Sequence, residues 1–149
     1  MKPRILIAFM LTASSCGGEF PRDPEGTIDR VRSQHAFDVG VIAPAGTSPM
    51  KEVNALLQHV GQASGASPQL IRGEAEPLLK QLEDGHLDLV IGRFETKSPW
   101  ARRVTIGPPL RLEKQGNTRF HLVPVMRNGE NAWIALVEKA ARDAAPGLE

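Results

Sequence analysis

The stretch from Leu82 to Pro109 most strongly limits what this chain can fold into. It begins as the end of an amphipathic helix that stops at Gly85, and it continues as the largely apolar run Leu87–Ile91. A short apolar run between turn signals is typical of a buried strand. We expect the strand to open at Gly92 into a polar loop. The α/β proteins commonly bind a ligand at such a place, where a helix is followed by a buried strand and then by a polar loop at the strand's carboxyl end.

The segments before this stretch predict alternating helices and strands. They are a helical turn Ile28–Gln34 with Thr27 as N-cap, strand Phe37–Ala43, a helix from Pro49 to about Ala63, strand Ser67–Arg72 and helix Glu76–Asp84. Short connections between alternating strands and helices imply right-handed crossovers and a parallel sheet. Pro68 places the second strand near an edge, since proline cannot donate a hydrogen bond within a sheet.

The segments after the loop predict a returning strand and a last helix. Arg103–Ile106 is a short extended piece, and Arg111–Thr118 is polar and turn-like. Phe120–Met126 is a further strand, which Pro124 assigns to an edge or a bulge. Asn131–Arg142 has the apolar spacing of a helix. The predicted fold class is therefore α/β, a single three-layer lobe with a mostly parallel β-α-β-α-β sheet plus a returning strand and a C-terminal helix.

The N-terminus has the layout of a secretory signal. Lys2 and Arg4 form a positive region, Ile5–Leu11 an apolar one, and small residues precede the lone Cys16. This segment resembles the lipobox of bacterial lipoproteins, although Ala13 stands where those proteins prefer leucine. The resemblance implies lipidation at Cys16, and the alternative is an ordinary secreted protein with a free thiol.

We therefore divide the chain into a lipoprotein-type signal peptide (residues 1–15), a tether (16–26), a single solute-binding-like α/β domain (27–143) and a tail (144–149). Loss of Lys2 and Arg4 on cleavage takes the formal net charge from +1 to −1. A near-neutral chain with no basic cluster argues against nucleic acid as a partner.

Composition and motifs argue against an enzyme. A single cysteine excludes an intramolecular disulfide and a Cys-based metal site, and the four histidines lack the spacing of helical metal ligands. The sequence has no nucleophile elbow, no P-loop and no dinucleotide fingerprint. We therefore expect no catalytic residues, no metal and no cofactor.

Three loops are expected to meet at the carboxyl edge of the parallel strands, Pro44–Ser48, Gly73–Ala75 and Arg93–Pro99. Side chains in or beside these loops offer hydroxyl groups, guanidinium groups and one indole to a ligand. These candidate ligand-binding residues are Thr47, Ser48, Arg72, Arg93, Thr96, Ser98 and Trp100.

Each candidate also has a simpler interpretation. Ser48 is placed to cap the following helix, which needs no ligand. The two arginines fit solvated surface charges, and Trp100 fits a packing residue. Asp88 is expected to hydrogen-bond nearby backbone because a buried carboxylate needs partners, and Trp133 is assigned to the core.

Four passages together resemble the first lobe of the family-3 bacterial solute-binding proteins, the periplasmic receptors that deliver amino acids to ABC importers. They are GTIDRVRSQHAFDVGV, LEDGHLDLVIG, TKSPWARRVTIGPPL and HLVPVMRNGENAWIALVEKA, and they cover most of Gly26–Arg142 in the family's order. The resemblance implies a lobe of the periplasmic-binding-protein type 2 kind that binds a small solute at its loop edge.

The sequence also departs from that family. Members have two lobes, but only Leu110–Arg119 separates the outgoing hinge position from the return strand, which is too short for a second lobe. Thr96 matches the family threonine, whereas Pro99 stands where an arginine commonly grips the ligand carboxylate. Leu110 replaces the hinge tyrosine, and Ala45-Gly46-Thr47 replaces the aromatic residue after the first strand.

The sequence therefore predicts a cell-envelope protein with one solute-binding lobe, anchored by lipid at Cys16. One lobe offers a shallow half-site, so the solute, such as an amino acid or organic anion, would bind weakly. An ABC permease or a second copy of the chain are the predicted protein partners. The alternative is an accessory lipoprotein that binds no solute and docks a transporter or sensor.

Overall fold

A computed structural model describes residues 22–42 and 51–148. Its elements, in chain order, are α1 (Thr27–Gln34), β1 (Ala36–Ile42), α2 (Lys51–Ser64), β2 (Ser67–Gly73), α3 (Ala75–Glu83), β3 (Leu89–Glu95), a 3-10 turn (Pro99–Arg102), β4 (Val104–Ile106), β5 (Arg111–Gln115), β6 (Thr118–Arg127) and α4 (Asn131–Ala144). The signal segment and Cys16 lie outside the described residues. None of the described helices has the length and apolarity that a membrane span requires.

The six strands form one sheet in the order β2-β1-β3-β6-β4, with β5 paired to another part of β6. Strand β1 runs parallel to both neighbours, and Val39 stands opposite Leu70 on one side and Leu89 on the other. The predicted parallel β1–β2–β3 unit is confirmed, as is the position of β2 at an edge. The carboxyl ends of these three strands therefore lie at the same edge of the sheet.

Helices cover both faces of the sheet and give the lobe three layers. Val39, Leu89 and Ile91 pack with α1, α2 and α4 around Trp133, whose ring meets Phe37 edge-on at 5.8 Å. On the opposite face, the leucines of α3 pack in a second core. Apolar residues occupy both faces of β3 because each face has its own helical cover, which explains the continuous apolar run.

Strand β6 lies inside the sheet, so of the two positions predicted from Pro124, an edge or a bulge, the edge is wrong. Pro124 is tolerated there because of a gap in the neighbouring strands. Its carbonyl accepts a hydrogen bond from Gly107 N–H at 2.8 Å, so its missing N–H faces the interval between β4 and β5. In that interval no strand requires a donor from proline.

The polar segment Arg111–Thr118 is a hairpin strand and its turn, not the irregular turn that its polarity predicted. Gln115 stands opposite Thr118, which leaves Gly116 and Asn117 as a two-residue loop. Gly116 has φ +60° while Asn117 has negative φ, the signs of a type II′ hairpin turn. A β5–β6 hairpin thus forms the short segment that follows the predicted hinge position.

Helix α1 is capped by residues that are distant in sequence. Its N-cap is Gly26 and not Thr27, which is already helical. The buried Glu130 accepts hydrogen bonds from Glu25 N–H and Thr27 N–H, both at 3.0 Å. Asp23 accepts from Ile28 N–H and from the first turn of α4. These carboxylates join the start of the lobe to α4.

Candidate functional site

The candidate site is the carboxyl rim, which we define as the loops that follow β1, β2 and β3. Of the loop after β1, residues 43–50, including Thr47 and Ser48, lie outside the described residues. The loop after β2 is the tight Gly73–Glu74 connection into α3. The loop after β3 begins at Thr96 because β3 continues through Glu95, three residues beyond the predicted opening at Gly92.

Thr96 and Ser98 are close together at the rim. Thr96 is the first residue after β3 and is exposed to solvent. Ser98 caps the 3-10 turn, since its Oγ accepts a hydrogen bond from Trp100 N–H at 3.4 Å. The hydroxyl of Thr96 is therefore accessible to a ligand, whereas that of Ser98 is partly committed to its own turn.

Arg93 does not lie in a loop as predicted but in β3, where the hairpin engages it. Its Nε is 3.2 Å from Glu113 Oε2, and its Nη2 donates to Gln115 Oε1 at 2.7 Å. The guanidinium also lies 4.0 Å from the centre of the Phe120 ring, which is a cation–π distance. Arg93 thus holds the hairpin and is not presented to the rim as an unpaired carboxylate clamp.

A second arginine fixes the hairpin to the lobe. Arg111 Nη2 donates to Glu52 Oε2 in the first turn of α2 at 2.6 Å. This hydrogen bond is the main reason that the pKa of Glu52 is lowered and that of Arg111 is raised. Neither residue was among the predicted site residues, because the two are 59 positions apart and neither belongs to a motif.

Trp100 is a packing residue. Its ring is partly buried against the core beneath α3, and the Arg103 guanidinium lies over it at 4.8 Å. Arg103 in turn makes a two-bond contact with Glu83 at 2.6 and 2.7 Å. The indole therefore packs against the second core, and Arg103 lies over its ring.

Arg72 lies near the end of β2, two strands away from β3. It stands opposite Val41, and Val41 stands opposite Ile91. At roughly 4.8 Å per strand, Arg72 is about 10 Å from β3 across the sheet. Thr96 and Ser98 are thus neighbours in one loop, whereas Arg72 lies at the same edge of the sheet but two strands away from β3.

A groove lies apart from these residues, beside the hinge segment and the end of α4. Its volume is about 1090 Å³. It is lined by Pro108, Pro109, Leu112, His121, Arg142, Asp143, Ala145, Pro146, Gly147 and Leu148. None of the predicted site residues that the structure describes lines it. Within residues 22–42 and 51–148, no group of histidine, cysteine and acidic side chains is arranged to hold a metal ion.

Comparison with solved structures shows what this lobe is similar to. It matches the arginine-bound form of domain 1 from TmArgBP, the ArgBP of T. maritima, with TM-score 0.64 and 14% identity over 77% of this chain and 98% of that one. An ancestral cationic amino acid solute-binding protein matches with TM-score 0.63 and 8% identity, over 78% of this chain and 93% of that one.

An amino acid ABC transporter substrate-binding protein from Streptococcus pneumoniae, bound to L-arginine, also matches. The TM-score is 0.61 and the identity 7%, over 78% of this chain and 91% of that one. No protein-family model matches the sequence, and no curated protein matches it significantly. The shared fold confirms the resemblance drawn from the sequence: the chain has the fold of a single amino-acid-binding lobe of the family-3 solute-binding proteins.

Proposed function

We propose that this chain is a single-lobe solute-binding protein that binds an amino acid or a similar small anion at its carboxyl rim. The observation that carries the proposal is the match to domain 1 of TmArgBP, because that structure is itself one domain with arginine bound. A lobe of this fold is thus compatible with a ligand without a second lobe.

Thr96 is the residue on which the proposal depends most. It is exposed at the rim, directly after β3, and its hydroxyl both donates and accepts hydrogen bonds. Thr47 and Ser48, which lie outside the described residues, remain predicted members of the same site. Because a single lobe covers only one side of a ligand, we expect weak affinity.

Isothermal calorimetry with arginine, lysine, glutamate and neutral amino acids tests the proposal. We expect at least one ligand to bind, and Thr96→Ala to weaken that binding by about tenfold, the loss of one hydrogen bond to a charged group. Thr105→Ala is the matched control, because Thr105 bonds Asn128 at the opposite end of the sheet. Equal binding by Thr96→Ala and the parent chain would place the site elsewhere.

The alternative function is docking of another envelope protein without solute binding. The observation that favours it is the commitment of Arg93 to Glu113, Gln115 and Phe120, which leaves it unsuited to grip a carboxylate. Absence of heat with every amino acid and organic anion, together with co-purification of a permease or sensor subunit, would favour docking over solute binding.

We further propose an envelope location with lipid attachment at Cys16 and no catalytic activity. The location is supported by the signal-like N-terminus and by the transport role named for one neighbour. Incorporation of labelled palmitate that is lost in Cys16→Ala is the expected result. Incorporation that survives the substitution would contradict lipidation at this residue.

A further inference from the structure

Two arginines lie on one face of the sheet near the carboxyl rim. Arg93 in β3 stands opposite Leu122 in β6, and Leu122 stands opposite Arg111 in β5. Because residues directly opposite each other in antiparallel strands share a face, both arginines flank Leu122 on the same face. Arg93 is three residues before Thr96, about 10 Å along the strand. A guanidinium group this close to a ligand site is suited to bind a carboxylate through paired hydrogen bonds.

Each of these arginines is already paired with a carboxylate of the chain itself. Arg93 Nε lies 3.2 Å from Glu113 Oε2, and Arg111 Nη2 lies 2.6 Å from Glu52 Oε2. The pKa of Arg111 is raised mainly by its hydrogen bond to Glu52, and the charge of Glu113 adds to this effect. Glu113 therefore acts on both arginines, and the formal charges of the four side chains cancel.

The guanidinium of Arg93 is held in place by more than Glu113. Its Nη2 donates to Gln115 Oε1 at 2.7 Å, and the group lies 4.0 Å from the centre of the Phe120 ring. These two contacts keep the guanidinium where it is when the carboxylate of Glu113 leaves. A cationic group that is fixed before a ligand arrives binds the ligand at a lower cost in entropy.

The ion pair between Arg93 and Glu113 is open to water and is therefore weak. The two side chains are 35% and 27% exposed. An exposed pair of this kind favours the paired state by only about 1.4- to fivefold, so the guanidinium is unpaired for a sizeable fraction of the time. An external carboxylate thus competes with Glu113, and this competition weakens its binding by about two- to sixfold.

We propose that Arg93 forms a carboxylate-binding position that Glu113 fills, and that Glu113 thereby makes the lobe discriminate against acidic solutes. The choice of solute rests on the proposed function, since it concerns ligands bound at Thr96. A second carboxylate on such a ligand meets the charge of Glu113 instead of an unpaired guanidinium. Glutamine, which has the shape of glutamate without the charge, meets no such competition. Neutral and cationic amino acids are thus the solutes that this lobe accepts.

The Nε–H signal of Arg93 in NMR spectra of the isotope-labelled full chain reports directly on this position. Succinate, which carries two carboxylates, is the probe. Glu113→Gln should bind succinate about two- to sixfold more tightly than the parent chain does, as read from this signal. Glu95→Gln is the matched control and should respond like the parent. It makes the same change of charge opposite Phe120, but among the described residues Glu95 makes none of the contacts that hold Arg93.

Calorimetry with glutamate and glutamine shows whether this position selects between solutes. Glu113→Gln should shift the ratio of the two affinities towards glutamate by about two- to sixfold relative to the parent chain. The double variant Glu113→Gln with Arg93→Gln should cancel the shift, because the gain depends on the guanidinium. Amide shifts of β5 that match those of the parent establish that the hairpin of Glu113→Gln is intact.

Two results would overturn the proposal. One is an Arg93 signal that responds equally to succinate in the parent, Glu113→Gln and Glu95→Gln chains. The other is a gain for glutamate in Glu113→Gln that persists when Arg93 is also replaced. A parent chain that binds no amino acid, together with tighter succinate binding at Arg93 in Glu113→Gln alone, would refute solute binding at the rim and leave the carboxylate position standing.

Discussion

Glu52 in the first turn of α2 and Arg111 at the start of β5 are joined by a 2.6 Å ion pair. This contact fixes the β5–β6 hairpin to α2. Together with the ion pair between Arg93 and Glu113, the Glu52–Arg111 pair holds the β5–β6 hairpin against the rest of the lobe.

Breaking this ion pair should loosen the hairpin more than it destabilises the lobe. The side chains of Arg111 and Glu52 are 39% and 27% exposed, so screening limits the loss of unfolding free energy in Glu52→Gln to below about 1 kcal/mol. Hydrogen exchange of the β5 amides should accelerate, while exchange in α3 stays unchanged. Uniform acceleration in both elements would show that the pair supports the whole lobe and not the hairpin.

Replacing Glu130 should change how stability depends on pH. Burial opposes ionisation of Glu130, but hydrogen bonds from Thr27 and Glu25 and the charge of Arg127 outweigh it, so its pKa is lowered. Because the pKa is lower in the folded state, the ionised Glu130 stabilises the fold at any pH above its unfolded-state pKa of about 4.3. This stabilisation is lost as the pH falls through the folded-state pKa. At pH 7, Glu130→Gln should therefore cost about 1–3 kcal/mol.

Urea denaturation at several pH values measures this effect. The difference in unfolding free energy between the parent chain and Glu130→Gln should be largest at neutral pH. It should narrow as the pH falls below the unfolded-state pKa of about 4.3 and through the lowered folded-state pKa of Glu130. Glu138→Gln is the control, since Glu138 makes only a 3.7 Å surface pair with Arg142. A difference that is constant with pH would contradict the ionised cap.

Arg30 should stabilise the lobe through Asp88. The Asp88 side chain is 2% exposed, binds Arg30 and accepts a hydrogen bond from Asp38 N–H at 2.9 Å. Arg30→Leu leaves this carboxylate without its cation, and the expected loss is about 1–3 kcal/mol because water reaches the half-open Arg30 position. Arg32→Leu, exposed on the same helix, should change stability by less than about 0.5 kcal/mol in the same urea titration.

The hairpin turn should tolerate substitution at one central residue and not at the other. Gly116 has φ +60°, so Gly116→Ala should cost roughly 1–3 kcal/mol through backbone strain. Asn117→Ala should have a small effect because Asn117 has negative φ. Thermal unfolding of both variants measures the contrast, and equal melting temperatures would contradict the type II′ turn.

The sequence predicted the parallel half of the fold well because its signals are local. The apolar spacing of Leu78, Leu79 and Leu82 and the apolar run of β3 each identify an element without knowledge of its neighbours. The edge position of β2 followed from Pro68, whose missing N–H faces solvent. The same argument failed for Pro124, because only the gap between β4 and β5 makes an interior proline acceptable.

The hairpin and the charge pairs could not be predicted from local patterns. Arg111–Gln115 is polar because its side chains make ion pairs. In a single sequence, a polar strand of this kind cannot be distinguished from a polar turn. Arg93 was predicted as a ligand residue, but its role depends on Glu113 and Phe120, which the fold brings beside it. Thr96 was predicted to lie in the loop after β3, and it does, although β3 ends at Glu95 and not at Ile91 as its apolar run predicted.

Titration of the isotope-labelled chain with arginine, followed by amide chemical shifts, tests the solute-binding account most directly. The account predicts concentration-dependent shifts at the carboxyl rim, centred on Thr96–Ser98 and Gly73, that Thr96→Ala reduces and Thr105→Ala leaves intact. Neutral amino acids and glutamate serve as competing ligands in the same titration. Shifts confined to the groove at Pro108 and Leu112, or no shift with any of these ligands, would contradict it.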